Sequence, residues 1–516
     1  MFGRSAMTEF ELKFEVTPAN LTSVAAAVKE GKVTRQRLQA SYFDTADGTL
    51  ARHGIVVRLR KEGRRWVQTA KGPTADLLAR LEHNAGVSLP GRGRAGAVPT
   101  LDLARHRGTP VGEAIDTALR LNADASYPSL TLLYGTDIKR ITTRITVNSS
   151  VVEVALDQGH VFANSPAQPE SQAVCELEFE LMEGAPLDAV ALARQWCATH
   201  GLSISTIAKS MKGQRLQQAV SYGAATSAVA PGYSQDAGSN DMLTAVVATC
   251  LSQILPNMSE LAGGSGSGSG GGSEQPDHIH QLRVGIRRLR TALRELGDLT
   301  DAIDPQCEAA LVSAFRALGA HRDQSNLALS LQPQLLAAGG PGLHMPATDG
   351  NQIASQDIVR AADFQDALLG LIAFLHRDVM ALPDDSEPVK KTISRRLNKL
   401  YKKAMRDGKK FMNLEEQEQH SVRKRLKSLR YLIEFTQPLF AARKVDRMIT
   451  ALKPVQDALG LYNDELMALH AWRVLAEADP KAWFGIGWLT ARKPLNAEHC
   501  WKEIKALADI KPFWRN

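Results

Sequence analysis

The stretch Thr8–Glu15 constrains the fold of this chain more than any other. Its sequence, T-E-F-E-L-K-F-E, alternates charged with apolar residues. Because successive side chains of a β-strand point to opposite faces, the pattern predicts a strand with one charged face and one apolar face. The charged face would hold Glu9, Glu11, Lys13 and Glu15. Such a face lies either in water, on an ordinary surface sheet, or in a charged interior that handles a metal-bound anion.

Length, cysteines and charge narrow the class of protein. The 516 residues exceed one ordinary core, so we expect two or three domains. The five cysteines are scattered without metal or disulfide spacing, and residues 1–7 have no apolar signal core, so we expect a cytoplasmic protein. No uninterrupted apolar run reaches the roughly 20 residues of a membrane span, so we expect no membrane partner. The net charge of +7 favours a polyanionic partner.

Four further predicted strands repeat the division into a charged and an apolar face. They are Ile55–Lys61, Arg64–Lys71, Ser150–Asp157 and Val174–Met182. Their charged faces hold Arg58, Arg60, Lys71, Glu153, Asp157, Glu176, Glu178 and Glu180. A closed antiparallel barrel can enclose these charges while helices cover its apolar outside. Enclosed Arg and Lys neutralise phosphate, and enclosed carboxylates need divalent cations between them, so this interior suggests a metal–polyphosphate complex.

A series of short motifs in this half resembles the CYTH superfamily, the triphosphate tunnel enzymes. The motifs are Glu9-x-Glu11-x-Lys13, Tyr42-Phe43-Asp44-Thr45, Arg58-Leu59-Arg60, Gln68-Thr69-Ala70-Lys71, Arg80-Leu81-Glu82, Asp137-Ile138-Lys139-Arg140, Glu153…Asp157, Glu176-Leu177-Glu178-Phe179-Glu180, and Lys209 within Ser205–Gly213. The first motif alone is weak, but the ordered set spans some two hundred residues. The resemblance implies an eight-stranded antiparallel barrel around a tunnel.

The resemblance also implies an activity and a set of site residues. The most similar subgroup hydrolyses tripolyphosphate to phosphate and diphosphate with Mg²⁺ or Mn²⁺. Metal binding would fall to Glu9, Glu11, Asp157, Glu176, Glu178 and Glu180, and phosphate binding to Arg58, Arg60, Lys71, Arg80, Arg140 and Lys209. Catalysis would involve Glu9, Glu11 and Lys13, with Lys13 either contacting phosphate or assisting proton transfer.

The second half of the chain has helical periodicity, and it follows a stretch in which the amino-acid composition changes. Residues 223–240 are rich in Ala, Ser, Gly and Pro and predict a linker, and 263–273 is a Gly/Ser loop. Predicted helices are Met242–Met258, Cys307–Leu318, Phe364–Met380, Pro388–Arg406, Gln417–Pro438, Lys444–Leu459 and Leu466–Ala476. The block from His280 to Arg290 aligns without gaps on the block from His420 to Arg430. This repeat predicts a duplicated, pseudo-twofold domain.

Basic residues follow one face of each repeated block. At about 100° per residue, the first stripe contains His280, Arg283, Arg287, Arg290 and Arg294, and the second contains His420, Arg423, Lys427 and Arg430. A third stripe includes Arg395, Lys402 and Arg406. Each stripe is either an independent solvated face or, because acidic residues are scarce among the basic ones, part of an anion-binding surface.

The repeated block, with Arg288 and the later L-G-x-x-R-D element, resembles the CHAD domain, the conserved histidine α-helical domain. The resemblance implies binding of inorganic polyphosphate in a basic groove formed by these stripes. His280 and His420 would donate hydrogen bonds to phosphate or be structural, since no carboxylate or Cys accompanies them at metal-ligand spacing.

The sequence therefore predicts an α+β protein of two domains. A CYTH-like antiparallel barrel over 7–222 precedes an all-α CHAD-like bundle over 241–516. The expected activity is that of an inorganic triphosphatase with an attached polyphosphate-binding domain, located in the cytoplasm and associated with polyphosphate granules. Alternatives are a polyphosphate-targeting protein with a weak tunnel, a thiamine triphosphatase and an adenylate cyclase. Nucleic-acid binding is disfavoured because no aromatic residues are interleaved with the basic stripes.

Overall fold

The structure is a computed structural model. It describes residues 7–63, 65–74, 78–88, 99–122, 126–163, 171–263, 275–300, 303–326, 331–343, 353–377 and 388–515, with the side chains of 7, 8 and 320–326 excepted. All but the first residue of the predicted Gly/Ser loop 263–273 lies outside this range.

The described residues of the N-terminal half form one nine-stranded antiparallel sheet that closes into a barrel. Its strands are β1 Met7–Glu15, β2 Thr34–Asp44, β3 Val56–Glu62, β4 Arg65–Pro73, β5 Ala79–Val87, β6 Thr131–Val147, β7 Ser150–Ala163, β8 Ser171–Glu183 and β9 Ser203–Ile204. Their order is β5-β4-β3-β2-β6-β7-β8-β1-β9. Because β1 also pairs with β5, strands β1–β8 close into an eight-stranded barrel, which confirms the prediction.

The register of β1 shows which face is interior. Glu11 lies opposite Glu180 and Lys13 opposite Glu178 on β8, so charged residues of neighbouring strands share the lumen side. The alternate residues Phe10, Leu12 and Phe14 are buried on the outside. The charged interior and the apolar exterior are thus both present.

Helices cover the apolar outside of the barrel. They are α1 Leu21–Val28, α2 Thr49–Arg52, α3 Pro110–Leu119 and α4 Pro186–His200. A fifth helix, α5 Lys209–Gln218, instead begins in the cavity wall with Lys209 and Ser210. On β8 the ring of Phe179 makes edge contacts with Phe14 of β1 and with Trp196 of α4. Gly213 of α5 lies against the Tyr134 ring, where a Cβ atom would come within 2.1 Å of the ring, so only glycine lets α5 lie this close to β6.

The remaining helices form the C-terminal half. They are α6 Ser239–Ala262, α7 Pro276–Leu296, α8 Gln306–Asn326, α9 Gln332–Ala337, α10 Ser355–Arg360, α11 Ala362–Leu375, α12 Val389–Gly408, α13 Glu416–Thr436, α14 Ala442–Leu475 and α15 Ala482–Ala508. The helices predicted at Lys444–Leu459 and Leu466–Ala476 are one helix, α14, which continues through Pro454. Residues 223–238 of the predicted linker form neither helix nor strand.

The repeated blocks occupy equivalent helices. Both α7 and α13 have 21 residues, and His280 and His420 each lie at the fifth position. The two helices contact each other, and Arg294 donates a hydrogen bond to the Ser428 hydroxyl at 2.8 Å. The duplication read from the sequence therefore corresponds to a repeated helical element.

The chain divides into two compact units. The first comprises Met1–Ala225, Met258–Gly270 and Arg360–His376, and the second comprises Thr226–Asn257, Gly271–Val359 and Arg377–Asn516. Two short stretches from beyond residue 240 thus belong to the unit that contains the barrel.

One helix in the described part of the chain has the length and hydropathy that a membrane span requires. It is α6, whose most apolar window has a mean hydropathy of 1.3 and is 72% buried. α6 contains the predicted helix Met242–Met258, whose apolar residues are interrupted by polar ones such as Gln253 and Asn257. Its burial is that of a core helix.

Candidate functional site

The barrel lumen is a cavity of about 730 Å³. All eight barrel strands contribute side chains to its wall, because the two-residue period of each strand turns alternate residues inward. The predicted site residues in the wall are Glu9, Glu11, Lys13, Arg58, Arg60, Lys71, Arg80, Arg140, Asp157, Glu178, Glu180 and Lys209. Glu176 is not among the lining residues, but it contacts Lys209, which is. Arg80 is exposed.

One carboxylate cluster in the lumen is already neutralised by basic side chains. The oxygens of Asp157, Glu176 and Glu178 lie within 4.8 Å of one another. The Lys209 ammonium lies 2.6 Å from Asp157 and 2.8 Å from Glu178, and it also contacts Glu176. Arg140 donates to Asp157 at 2.6 and 2.7 Å and also binds Glu178.

The pKa values of this cluster favour charged side chains. Burial raises the pKa of Glu178, but Lys209, Arg140 and Lys13 outweigh it and hold the pKa well below its ordinary value. Burial lowers the pKa of Lys13, but Glu176, Glu11 and Glu178 outweigh it and raise the pKa. Lys13 therefore stays a cation at neutral pH. Of its two proposed roles, contact with phosphate suits this state better than accepting a proton.

A second cluster joins two carboxyl groups through one lysine. Lys71 of β4 lies 2.7 Å from Glu9 and 2.7 Å from Glu82 of β5. Burial is the main reason that the pKa of Glu9 is raised, to about 9, and a hydrogen bond to Glu82 raises it further. Glu9 and Glu82 therefore share one proton at neutral pH.

The region around Glu11 has an excess of negative charge. Glu11 pairs in register with Glu180, which in turn pairs with Glu153. Burial, and then the charge of Glu11, raises the pKa of Glu180. Among the described residues, the nearest cation to Glu11 is Lys13 at 3.8 Å, beyond direct hydrogen-bond distance. Arg144 donates to Glu153 at 3.1 Å, which leaves Glu11 and Glu180 as the less balanced carboxylates of the three.

The opposite wall has an excess of positive charge. The Arg58 Nη1 atom lies 3.5 Å from the Tyr42 hydroxyl, and its buried Nε has no hydrogen-bond partner among the described residues. Burial lowers the pKa of Arg60, as do the charges of Arg58 and Arg140, although Arg60 donates to Glu62 at 2.6 Å. An enclosed anion would relieve this repulsion.

The donor set fits a hard divalent cation. Carboxylate oxygens are the ligands that Mg²⁺ and Mn²⁺ prefer. Glu11 and Glu180 are predicted ligands with no cation within hydrogen-bond distance in the described part of the chain, whereas Asp157, Glu176 and Glu178 are paired with Lys209 or Arg140.

Several wall residues were missed by sequence reasoning. Glu82 belongs to the Arg80-Leu81-Glu82 motif, but no function was predicted for it from the sequence. In the structure it shares the inward face of β5 with Arg80. Glu62 lies one residue beyond the predicted strand Ile55–Lys61, but it ends β3 and lines the cavity. Tyr42 stood in the Y-F-D-T motif, and its ring stacks on Tyr134 at 4.8 Å. In each case the inward alternation of the strand was the available signal.

The first basic stripe of the helical half gathers around one aromatic ring. The guanidinium groups of Arg283, Arg287 and Arg290 lie 4.4, 5.3 and 5.8 Å from the centre of the Phe315 ring. Arg283 is largely buried and donates to the Phe315 carbonyl at 2.9 Å. The ring thus holds three like charges side by side through cation–π contacts.

Arg288 does not join this basic face. It is 1% exposed and donates to Gln253 at 3.2 Å and to the Val229 carbonyl at 3.0 Å. Arg288 therefore lies in the core and not on the basic face of α7. It is one residue out of step with the stripe, about 100° around the helix from Arg287.

The other two stripes are more accessible. On α13, His420 is hydrogen-bonded to Asn463 at 2.9 Å, Arg430 donates to Glu434 and Gln456, and Arg423 and Lys427 are half-buried. On α12, Arg395, Lys402 and Arg406 are exposed, and Arg406 donates to the neighbouring Asp407 at 2.9 Å. The structure thus brings most of the predicted basic residues to helix surfaces, whereas Arg283 is largely buried and Arg288 lies in the core.

Together the fold and the lumen define a class: a closed antiparallel barrel with an acidic and a basic wall, followed by a duplicated helical domain. Comparison with protein families agrees with both parts. Residues 7–213 match the CYTH domain and residues 245–473 match the CHAD domain. The chain therefore carries a CYTH domain and a CHAD domain.

Solved structures resemble each part separately. A CHAD domain from the plant Ricinus communis is 22% identical, covering 56% of this chain and 98% of its own, with a TM-score of 0.43. A putative adenylyl cyclase from Hippeastrum, described as having a dominant triphosphatase activity, is 15% identical over 41% of this chain and 96% of its own, with a TM-score of 0.28. A putative adenylate cyclase from Bacillus halodurans is 15% identical over 41% of this chain and 98% of its own, with a TM-score of 0.27.

Proposed function

We propose that this protein is a divalent-metal-dependent inorganic triphosphatase that hydrolyses tripolyphosphate to phosphate and diphosphate. The observation that carries the proposal is the charge division of the lumen, with Arg58 and Arg60 on one side and Glu11 and Glu180 on the other. A linear anion with a bound cation matches both walls at once. A lone anion would match only the basic wall.

The side chains of the lumen have separable tasks in this proposal. Arg58 and Arg60 bind phosphate oxygens, and Lys71, Arg140 and Lys209 exchange their carboxylate partners for phosphate as substrate enters. Glu11 and Glu180 would hold Mg²⁺ or Mn²⁺, which when bound offsets charge on the leaving diphosphate. Glu9, sharing a proton with Glu82, is placed to exchange a proton with water in the tunnel.

Phosphate release from tripolyphosphate with Mg²⁺ or Mn²⁺ tests the proposal. We expect turnover by the wild-type protein and a loss of at least about a hundredfold in Glu11→Ala, since a charged group that acts in the transition state is removed. Lys61→Ala, on the outward face of β3, is the matched control. Absence of release by the wild-type protein with either metal would contradict the proposal.

The same assay ranks the alternative activities. Thiamine triphosphatase and adenylate cyclase activities require room for an organic group beside the triphosphate. Turnover of thiamine triphosphate or ATP that exceeds turnover of tripolyphosphate would replace the proposed substrate. A protein that binds polyphosphate but releases none would be a targeting protein with an idle tunnel.

We further propose that the helical half binds inorganic polyphosphate and associates the protein with polyphosphate granules in the cytoplasm. The support is the row of guanidinium groups around Phe315 together with the basic faces of α12 and α13. Competition between long-chain polyphosphate and DNA distinguishes this partner from nucleic acid, with polyphosphate expected to displace DNA.

A further inference from the structure

Residues 203–208 form part of the cavity wall and lead directly into Lys209. Ser203 and Ile204 make up β9, which pairs with the end of β1. The Ser205 N–H then donates to the Lys13 carbonyl at 2.8 Å. Ile204, Ser205, Thr206 and Ala208 all line the cavity, and α5 begins at Lys209. The path of this segment therefore determines where the Lys209 ammonium group lies.

Two side chains from the helical half cap the outer edge of this segment. Gln365 of α11 accepts a hydrogen bond from the Ile204 N–H at 2.9 Å. Ser259 of α6 accepts one from the Thr206 N–H at 3.0 Å. An edge strand otherwise presents backbone amides without partners, and a buried amide without a partner is costly. Gln365 is 0% exposed and Ser259 2% exposed, so water is not an alternative partner.

The capping side chains are themselves held in place within the first compact unit. The Gln365 amide donates to the Met258 sulfur at 3.3 Å. The next residue, Asp366, accepts a hydrogen bond from Arg194 of α4 at 2.6 Å. Arg360 donates to the Ala262 carbonyl at 2.7 Å and to Glu15 of β1 at 3.2 Å. Residues 258–262 and 360–376 are thus fixed to the barrel at several points.

We propose that Gln365 and Ser259 are positioning residues of the tunnel, which hold segment 203–208 so that Lys209 stands at the phosphate-binding wall. Neither side chain lines the cavity, so neither contacts substrate. The consequence for substrate rests on the proposed function, whereas the positioning of the segment does not. The tunnel is then incomplete without residues that the chain supplies from its helical half.

The test compares full-length variants of the two caps. Ser259→Ala and Gln365→Leu remove the acceptors without removing a charge. Because Lys209 would bind substrate and transition state alike, we expect KM for tripolyphosphate to rise about tenfold while kcat stays within about twofold. Ser259→Thr keeps the hydroxyl and should restore KM. Ser252→Ala on the same helix is the matched control, since within the described part of the chain the Ser252 hydroxyl donates to the Thr249 carbonyl alone.

Hydrogen exchange of the segment gives a readout that does not depend on activity. The Ile204 amide should exchange faster in Gln365→Leu, the Thr206 amide faster in Ser259→Ala, and neither in Ser252→Ala. Wild-type exchange in both cap variants overturns the proposal, as does faster exchange with unchanged KM and unchanged tripolyphosphate affinity by calorimetry. If the wild-type protein neither binds nor cleaves tripolyphosphate, the proposed function fails, while faster exchange still supports the positioning role.

Discussion

Glu178 and Glu180 lie two residues apart on β8, face the same lumen and have opposite surroundings. Glu178 is surrounded by Lys209, Arg140 and Lys13, which lower its pKa against the effect of burial. Glu180 faces Glu11 and Glu153, and its pKa is raised by burial and by Glu11. The Glu178 carboxylate therefore stabilises the barrel, whereas the Glu180 carboxylate is repelled by its neighbours, and a bound cation would relieve that repulsion.

Replacing each of these two residues by glutamine should separate the two roles. Glu178→Gln leaves buried cations short of a partner and should lower the free energy of unfolding by about 2–4 kcal/mol. Glu180→Gln should leave stability unchanged or slightly raised, yet remove metal-dependent phosphate release. Urea unfolding and the phosphate assay measure the two effects. Equal destabilisation by both substitutions would show that the charge division does not exist.

Arg58 is the wall cation with a buried donor atom that the described residues leave unpaired. Arg58→Ala should weaken tripolyphosphate binding by tenfold to a hundredfold, since a charge-assisted hydrogen bond contributes about 1.5–3 kcal/mol. The melting temperature should fall only slightly, because the attraction of Tyr42, Glu82 and Glu9 for Arg58 is lost while its repulsion with Arg60 is removed. Calorimetric titration and thermal unfolding measure this, with Lys61→Ala as the control on the same strand. A parallel loss of stability and affinity would assign Arg58 a structural role instead.

At the scale of elements, a short 3-10 turn, Leu103–His106, is tied to the outside of the barrel by a buried histidine. His106 is 0% exposed and lies 2.9 Å from the side-chain nitrogen of Gln68 on β4 and 2.9 Å from His83 on β5. Burial, followed by the neighbouring His83 ring, lowers the pKa of His106 to about 4. The turn is therefore docked through a neutral imidazole.

This docking should make stability depend on pH. In the unfolded chain His106 binds a proton below about pH 6.5, whereas in the folded chain it does so only below about pH 4. The contribution of neutral His106 to the free energy of unfolding is therefore complete above pH 6.5 and is lost as the pH falls toward 4. Lowering the pH from 7 to 5 should therefore reduce the free energy of unfolding by about 2 kcal/mol. Urea unfolding at both pH values should show this loss in wild type and in His160→Asn, an exposed control, but not in His106→Gln. An identical loss of stability in the wild type and in both variants would contradict this prediction.

The barrel could be predicted because strand alternation acts over short sequence distances. The faces of β1, β3, β4, β7 and β8 were readable from residues i and i+2, and the family motifs placed one inward residue on β5 and one on β6. What alternation could not show was how strands pair. Only the register reveals that Glu9 and Glu82 meet across Lys71.

The helical half was harder to predict, because helix ends and buried polar residues depend on packing. The interruption expected at residues 460–465 of α14 does not occur, because apolar residues such as Leu459, Tyr462 and Leu469 remain buried along the helix. No pattern predicted α15, which packs on α14 in one apolar core. Arg288 was grouped with phosphate ligands because charge alone does not reveal burial.

At the scale of the whole molecule, the two proposed binding surfaces for linear phosphate chains should be separable by mutation. Arg287→Glu with Arg290→Glu reverses charge around Phe315 without altering the more buried Arg283. We expect polyphosphate affinity to fall at least about a hundredfold and to decrease steeply with salt in wild type, because several cations release counterions together. Tripolyphosphate turnover should stay within about twofold. Equal loss of both activities would show that the two surfaces act as one.

The position of β1 between β5 and β8 has a consequence for synthesis of the chain. β1 ends at Glu15, whereas β8, its second pairing strand, ends at Glu183. β1 is therefore without this partner until the residues between them have been synthesised. At 5–20 residues per second this delay is roughly ten to thirty seconds. During it, the alternating charges of β1 are its protection against pairing with other nascent chains. The acidic residues of β1, which suit a cation in the folded barrel, thus also help to keep the nascent chain soluble during synthesis.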